Sequence, residues 1–383
     1  MFRKLLCFTL LMGIAIGTSH SAEVDQRAAA GGFANPKPEM FLKLSNLKNR
    51  KFAPNPNPYP LTVRQPNENE QGVVDQADRM FDGSATMALL LIDHGKIIYE
   101  RYKDPAGPDK ALFSWSMSKS LTAYTIGHMI CGGNIPNIDS PAQTYSKDLE
   151  GTVYGEATVK NLLTMSSGVG EPIHDGNQVQ NEWEDMMQRR LSTIEDLKRS
   201  PNRYKPFFGI PVESGTKLVY SATDTLALAN IADNNGGFFD NFEKYIWKEA
   251  GTESAGYWQE EKDGRAIAQA GFSATGRDWA RLAMLSIRER KSSDSCIRDF
   301  MIEATKKQLP NISRRVGKSF EGYGYQTWIA DFDSRMSYWW VGFGGQRVGV
   351  DPVSERIIVL TSYREDYMDV VYRLFRQFQK LAN

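Results

Sequence analysis

Hydrophobic positions change their spacing several times along this chain, and the changes outline its architecture. Met87-Ala88-Leu89-Leu90-Leu91-Ile92 is a continuous apolar run, and Ile97-Ile98-Tyr99 follows the turn signal Asp93-His94-Gly95-Lys96. Two such runs joined by a glycine-containing turn predict a β-hairpin. Residues 121–131 are apolar on nearly every side, with Leu121, Tyr124, Ile126, Met129 and Ile130, which predicts a helix buried in a core. From about 132 to 270 the pattern is helical with long loops, including a charged amphipathic segment at 181–199. After Gly271 short strand runs return at 322–330, 337–341, 346–350 and 357–362, and a helix over about 366–381 closes the chain. Strands at both ends of a helical middle predict an α/β (α+β) fold, with one sheet built from both termini and a helical lobe inserted over about 116–270.

The first 84 residues do not share this patterning. Arg3 and Lys4 precede an apolar run over 5–17 and then Thr18-Ser19-His20-Ser21-Ala22. These are the charged, apolar and small-residue regions of a signal peptide, expected to be cut after Ala22. The run is short for a permanent membrane anchor, so a periplasmic or secreted protein is expected. Residues 23–84 read as a polar arm, Asn- and Pro-rich in Ala53-Pro54-Asn55-Pro56-Asn57-Pro58, wrapped on the surface or partly disordered. The main domain then spans 85–383.

Composition narrows the function classes. The chain has 383 residues, 41% hydrophobic and 24% charged, ordinary values for a soluble globular protein. Lys+Arg and Asp+Glu are balanced at 46 each, so no nucleic-acid surface is indicated. Loss of residues 1–22 would remove two cations and no acid. Cys131 and Cys296 would remain, either paired in an oxidising compartment or as two buried free thiols. No CxxC motif or His/Cys cluster indicates a metal, and no cofactor is implied.

Candidate chemistry centres on Ser116-Met117-Ser118-Lys119. A serine and lysine three apart on a helix are neighbours, so the amine can take the hydroxyl proton and make Ser116 a nucleophile without a histidine. Ser-x-x-Lys also occurs at Ser45 and Ser214, but Ser45 lies in the polar arm and Ser214 is followed by Gly215, a poor helix residue. A histidine triad is disfavoured: His20 leaves with the signal, His94 sits in the hairpin turn, His128 lies far down the buried helix, and only His174 is placed in a loop. Tyr220, at the end of Lys217-Leu218-Val219-Tyr220, is a candidate proton relay. The glycine-interrupted stretch Trp340-Val341-Gly342-Phe343-Gly344-Gly345-Gln346 marks either close backbone approach to a substrate oxyanion or a bulge in a hairpin.

Taken in order, these segments resemble the serine β-lactamase and penicillin-binding superfamily. Within it they are similar to the class C β-lactamase-related hydrolases, closest to the 6-aminohexanoate-dimer hydrolase and esterase group. The resemblance covers about 85–380 and includes Ser116–Lys119, Gly133-Asn134-Ile135-Pro136-Asn137-Ile138-Asp139, the segment 158–168, Tyr220-Ser221-Ala222, Ser273-Ala274-Thr275-Gly276-Arg277-Asp278-Trp279 and residues 340–352. It implies an antiparallel sheet flanked by helices and joined to an all-helical lobe, with the site between them. It also implies that Ser116 is the nucleophile, Lys119 the base and Tyr220 the relay, with the N–H groups of Ser116 and Phe343 as oxyanion donors. Ala222 replaces the asparagine of the family's Tyr-x-Asn, and Trp340-Val341-Gly342 replaces Lys-Thr-Gly, leaving no cation there for a substrate carboxylate. A Glu-x-x-Leu-Asn loop is absent. Short esters or linear amides are therefore expected in preference to β-lactams or D-Ala-D-Ala peptides, with Trp340 as an apolar wall. An acylatable sensor without turnover is the reading from a different class.

Overall fold

The computed structural model describes residues 37–43, 48–170, 212–261, 263–312, 317–332 and 335–382. In chain order they form β1 (Asn49–Phe52), β2 (Thr62–Val63), α1 (Glu68–Asp82), β3 (Thr86–Asp93), β4 (Lys96–Tyr102), β5 (Leu112–Phe113), α2 (Ser118–Cys131), α3 (Val159–Leu163) and α4 (Ala222–Asn234). There follow β6 (Gly256–Gln259), β7 (Phe272–Ala274), α5 (Gly276–Glu289), α6 (Ser295–Ala304), β8 (Leu309–Pro310), β9 (Gly322–Tyr323), β10 (Trp328–Phe332), β11 (Arg335–Gly342), β12 (Gln346–Asp351), β13 (Arg356–Ser362) and α7 (Met368–Gln379). The expected segment at 181–199 and His174 lie outside the described residues, as does Ser45.

The main sheet has nine strands in the order β2-β4-β3-β13-β12-β11-β10-β9-β8. It is antiparallel except at its edge, where β2 runs parallel to β4. Both ends of the chain meet at its centre, with Leu91 opposite Ile358 and Leu90 opposite Val359. These strands are apolar at nearly every position because helices cover both faces of the sheet. On one face α1 and α7 pack together, bringing Ala77, Phe81, Val371 and Phe375 against Trp328 and Trp339. On the other, α5 lies across β3, β12 and β13. Helix α1 starts at a reciprocal cap, in which Asn67 accepts from the Glu70 N–H and Glu70 from the Asn67 N–H.

Two expectations change. The described residues between 37 and 82 contribute to the fold: β1 and β2 are sheet strands, and Phe52 packs among Phe239, Phe242 and Trp247. The region 256–274, expected within the helical lobe, instead supplies β6 and β7 of a second antiparallel sheet ordered β1-β6-β7-β5. Its strands are two to four residues long, too short to carry a period of alternation, and they are held by the Trp258–Phe272 cluster.

Helix α2 runs through the interior, buried from Ser118 to Gly127 and again at Met129. A Cβ at Gly127 would lie 2.2 Å from the Phe300 ring, so only glycine lets α6 pack this closely. Near the end of that contact Cys131 and Cys296 form a disulfide, with Cα atoms 5.7 Å apart, which decides between pairing and free thiols. A second tie is Gln326, in the turn between β9 and β10, buried and at φ 49°. Its N–H and side-chain Nε2 donate to the carbonyls of Leu163 and Leu162 at the end of α3. Its Oε1 accepts from Thr225 of α4, and its carbonyl accepts from Ser120 of α2. No described helix is long and apolar enough to cross a membrane.

Because the disulfide closes a loop of 165 residues, its removal frees a long segment of the unfolded chain. The Cys131→Ser/Cys296→Ser variant is expected to be about 2–4 kcal/mol less stable than the oxidised protein in urea unfolding. Equal unfolding midpoints would contradict a stabilising role for the bond.

Candidate active site

Ser116 lies in a 3-10 turn, Trp115–Met117, that leads directly into α2. This is one step earlier than a start in the α-helix itself. The tighter winding still puts positions three apart on one side. Lys119, in the first turn of α2, therefore points back at Ser116, and its Nζ is 2.8 Å from Ser116 Oγ. The amine also donates to the Gln269 carbonyl at 2.8 Å. Lys119 is 3% exposed, and burial pulls its pKa from 10.5 down to about 7. A substantial neutral fraction at neutral pH is what a proton acceptor for Ser116 needs.

Tyr220 completes this cluster. Its phenol lies close enough to the Ser116 hydroxyl to feel it, and Lys119 Nζ lies 5.3 Å from its ring centroid. Burial raises the phenol to about 12, partly offset by the nearby Ser116 hydroxyl and by the positive charge of Arg347. The phenol therefore keeps its proton at neutral pH and can pass it on. The ring stacks on Trp328 at 5.2 Å and meets Tyr323 edge-on at 6.1 Å. Ser221, the next residue, caps α4, so the start of that helix fixes the position of Tyr220.

The glycine-rich stretch forms the turn between β11 and β12, with Gly342 paired to Gln346. A Cβ at Gly342 would stand 2.1 Å from the Ser114 carbonyl oxygen and 3.2 Å from Trp115 Cβ. Glycine there lets the strand end lie directly against the backbone that carries Ser116. Gly344 and Gly345 have φ of 73° and 98°, which glycine adopts without strain. Gln346 is buried and donates to the Phe343 and Ser362 carbonyls, so it holds the turn closed and does not face a substrate. The stretch is thus both a hairpin turn and a close backbone approach to Ser116.

Trp340 is corrected. Strand alternation turns Trp339 toward α7 and Trp340 into the opposite core, where it is 0% exposed. There its Nε1 donates to Tyr124 and its ring meets Trp279, so it cannot be a wall of the site. The exposed aromatic beside Ser116 is Phe343, 41% exposed and edge-on to Trp115 at 5.5 Å.

A profile of the beta-lactamase family matches residues 74–381. The chain belongs to the beta-lactamase family. The chain is similar to the 6-aminohexanoate-dimer hydrolase of Paenarthrobacter ureafaciens, 22% identical over 297 residues that cover 74% of each protein. A candidate 6-aminohexanoate-dimer hydrolase from Bacillus anthracis has the same fold, with a TM-score of 0.71 at 20% identity over 88% of this chain and 92% of that one. EstCE1, a hydrolase with promiscuous acyltransferase activity, superposes with a TM-score of 0.60 at 13% identity over 82% of this chain and 98% of its own. This beta-lactamase-family protein is a serine hydrolase with the β-lactamase/transpeptidase-like fold.

Other serines and histidines in this hydrolase lie in different settings. Ser214 sits in an exposed turn bonded to Asn161. His94 is in the β3–β4 turn next to Asp93, and His128 pairs with Glu289 at 2.7 Å and stacks on Tyr245. Two contributors escape sequence reasoning. Gln269 acts through its carbonyl, which no side-chain motif reports. Arg347 is buried and donates to the carbonyls of Gly342 and Gln346 and to the Tyr372 hydroxyl, which fixes the turn from below.

The lowered Lys119 pKa fixes the direction of a pH test. Below about 7 the amine is protonated and cannot accept from Ser116; above it the free base dominates. Labelling of Ser116 by a fluorophosphonate is therefore expected to speed up as pH rises through about 7 and then level off. A rate still climbing toward pH 10 would contradict a desolvated Lys119.

Proposed function

We propose that this hydrolase forms an acyl-enzyme on Ser116 and cleaves short esters or linear amides after export from the cytoplasm. The observation that carries the reading is the 2.8 Å bond between the buried Lys119 amine and the Ser116 hydroxyl, with the Tyr220 phenol beside both. In this mechanism Lys119 takes the Ser116 proton as Oγ attacks the substrate carbonyl. The N–H groups of Ser116 and Phe343 receive the developing oxyanion. Tyr220 passes a proton to the departing alcohol or amine, and water then releases the acyl group by the reverse route. The substrate is the one partner this requires.

The preference for neutral acyl groups is supported by the place where a β-lactam carboxylate would need a cation. Trp340 is buried there, and Arg347 is committed to backbone carbonyls and to Tyr372. Phe343 and Trp115 offer an aromatic surface suited to an alkyl or aryl chain. The relatives, a 6-aminohexanoate-dimer hydrolase and a hydrolase with promiscuous acyltransferase activity, agree with this choice. Export is supported by the signal-like amino terminus and by the disulfide, a bond of oxidising compartments.

Purified protein is expected to show at least about a hundredfold higher kcat/KM on an aryl ester than on a chromogenic cephalosporin, a gap of about 2.7 kcal/mol. Ser116→Ala should lower kcat by on the order of 10³-fold. Comparable efficiency on both substrates would remove the ester and linear-amide assignment, and a single stalled acyl group per site would favour a sensor. Separately, intact-mass analysis of exported protein is expected to give a chain starting near Glu23. A full-length chain in a membrane fraction would rule that out.

A further inference from the structure

The residues matched to the family begin at 74, yet a side chain from well upstream lies beneath the active site. Phe41 ends a short 3-10 turn, Pro38–Phe41, and is 0% exposed. Its ring stacks on Phe343 at 6.4 Å and lies 6.3 Å from Trp115. It also fills the space left by the missing side chain of Gly344, where a Cβ would come within 2.3 Å of the Phe41 ring. The segment is tied to the strand before Ser116, since Leu42 bridges Leu112 and the Lys43 N–H donates to the Ala111 carbonyl at 3.0 Å.

Both aromatic residues whose rings meet Phe41 precede or carry a proposed oxyanion donor. Trp115 comes just before Ser116 and is held at φ 47°, a left-handed conformation that a bulky residue adopts only when its surroundings enforce it. Phe343 carries the second N–H, and its side chain is otherwise partly in solvent. One ring packed against both thus sets the separation of the two backbone segments. We infer that Phe41 is a positioning residue for the oxyanion site, so that the segment upstream of the family domain is part of the catalytic apparatus. The inference rests on the reading of Ser116 and Phe343 given above.

The test uses the full chain with Phe41→Ala and Phe41→Leu, and with Phe81→Ala as a control. Phe81 is equally buried but projects from α1 into the core between α1, α7 and the far face of the main sheet. Each variant is assayed well below its own Tm, for aryl-ester turnover and for amide hydrogen exchange of the peptides spanning 114–117 and 342–346. Phe41→Ala is expected to lose about ten- to a hundredfold in kcat with KM changed less than threefold, the range for a displaced oxyanion donor. Exchange in the 342–346 peptide should be at least tenfold faster. Phe41→Leu should recover part of both, and Phe81→Ala should lower Tm while leaving both near wild type. If Phe41→Ala does not fold, Phe41→Leu carries the same comparison with smaller changes. Unchanged exchange in the 342–346 peptide would overturn the inference. Faster exchange in a protein whose wild type turns over no ester would support the brace and reject the ester-cleavage reading instead.

Discussion

A lysine amine with no cation beside it gives up its proton near neutral pH only if water is kept away from it, and this requirement shapes the centre of the molecule. Lys119 is shifted by burial alone, with no neighbouring cation among the causes. A shift from 10.5 to about 7 corresponds to on the order of 5 kcal/mol, a cost borne by the folded state. The unfolded chain binds the extra proton between those values, so this contribution makes folding more favourable as pH rises from about 7 to 10.5. The dry setting is produced by α2 being apolar on all sides, by the two sheets and helices packed around it, and by Gly127, which lets α6 close against it. Much of the core thus serves one amine.

The parts of this arrangement that were legible in the sequence are those encoded locally. Ser116 and Lys119 are three apart, and the apolar run after them has the all-round character of a buried helix. The central hairpin and the last three strand runs were legible because β3, β11, β12 and β13 are long enough to show their pattern, whereas the run at 322–330 is broken into β9 and β10 by the turn that holds Gln326. The second sheet was not, since its strands of two to four residues come from four distant places and owe their pairing to tertiary contacts. The amino-terminal region was misread because Asn and Pro dominate its composition. Its structural content lies in isolated anchors such as Phe41 and Phe52 and in α1, whose apolar stripe of Val73, Val74, Ala77, Met80 and Phe81 is short and set among charged residues.

Side-chain direction was the other blind spot. Trp339 and Trp340 are adjacent, and a one-residue change in strand phase exchanges the faces they point to. The glycines after them mark the site correctly, but they do not say which tryptophan turns inward. Contributions made through the backbone, such as the Gln269 carbonyl, have no residue-type signature. The Arg347 side chain is equally hidden in the sequence, since an arginine on a strand more often projects into solvent.

Gln326 has a bearing on how the molecule can move. Through one residue the turn between β9 and β10 is bonded to α2, α3 and α4, that is, to the sheet side and the helical side of the cleft at once. A hinge between the two sides at this point would have to break four hydrogen bonds in a place water does not reach, leaving buried polar groups unmatched. The cleft floor is therefore a seam rather than a joint. The two halves of the protein are coupled into one cooperative unit, so they are expected to melt together and to meet a substrate with their spacing already set.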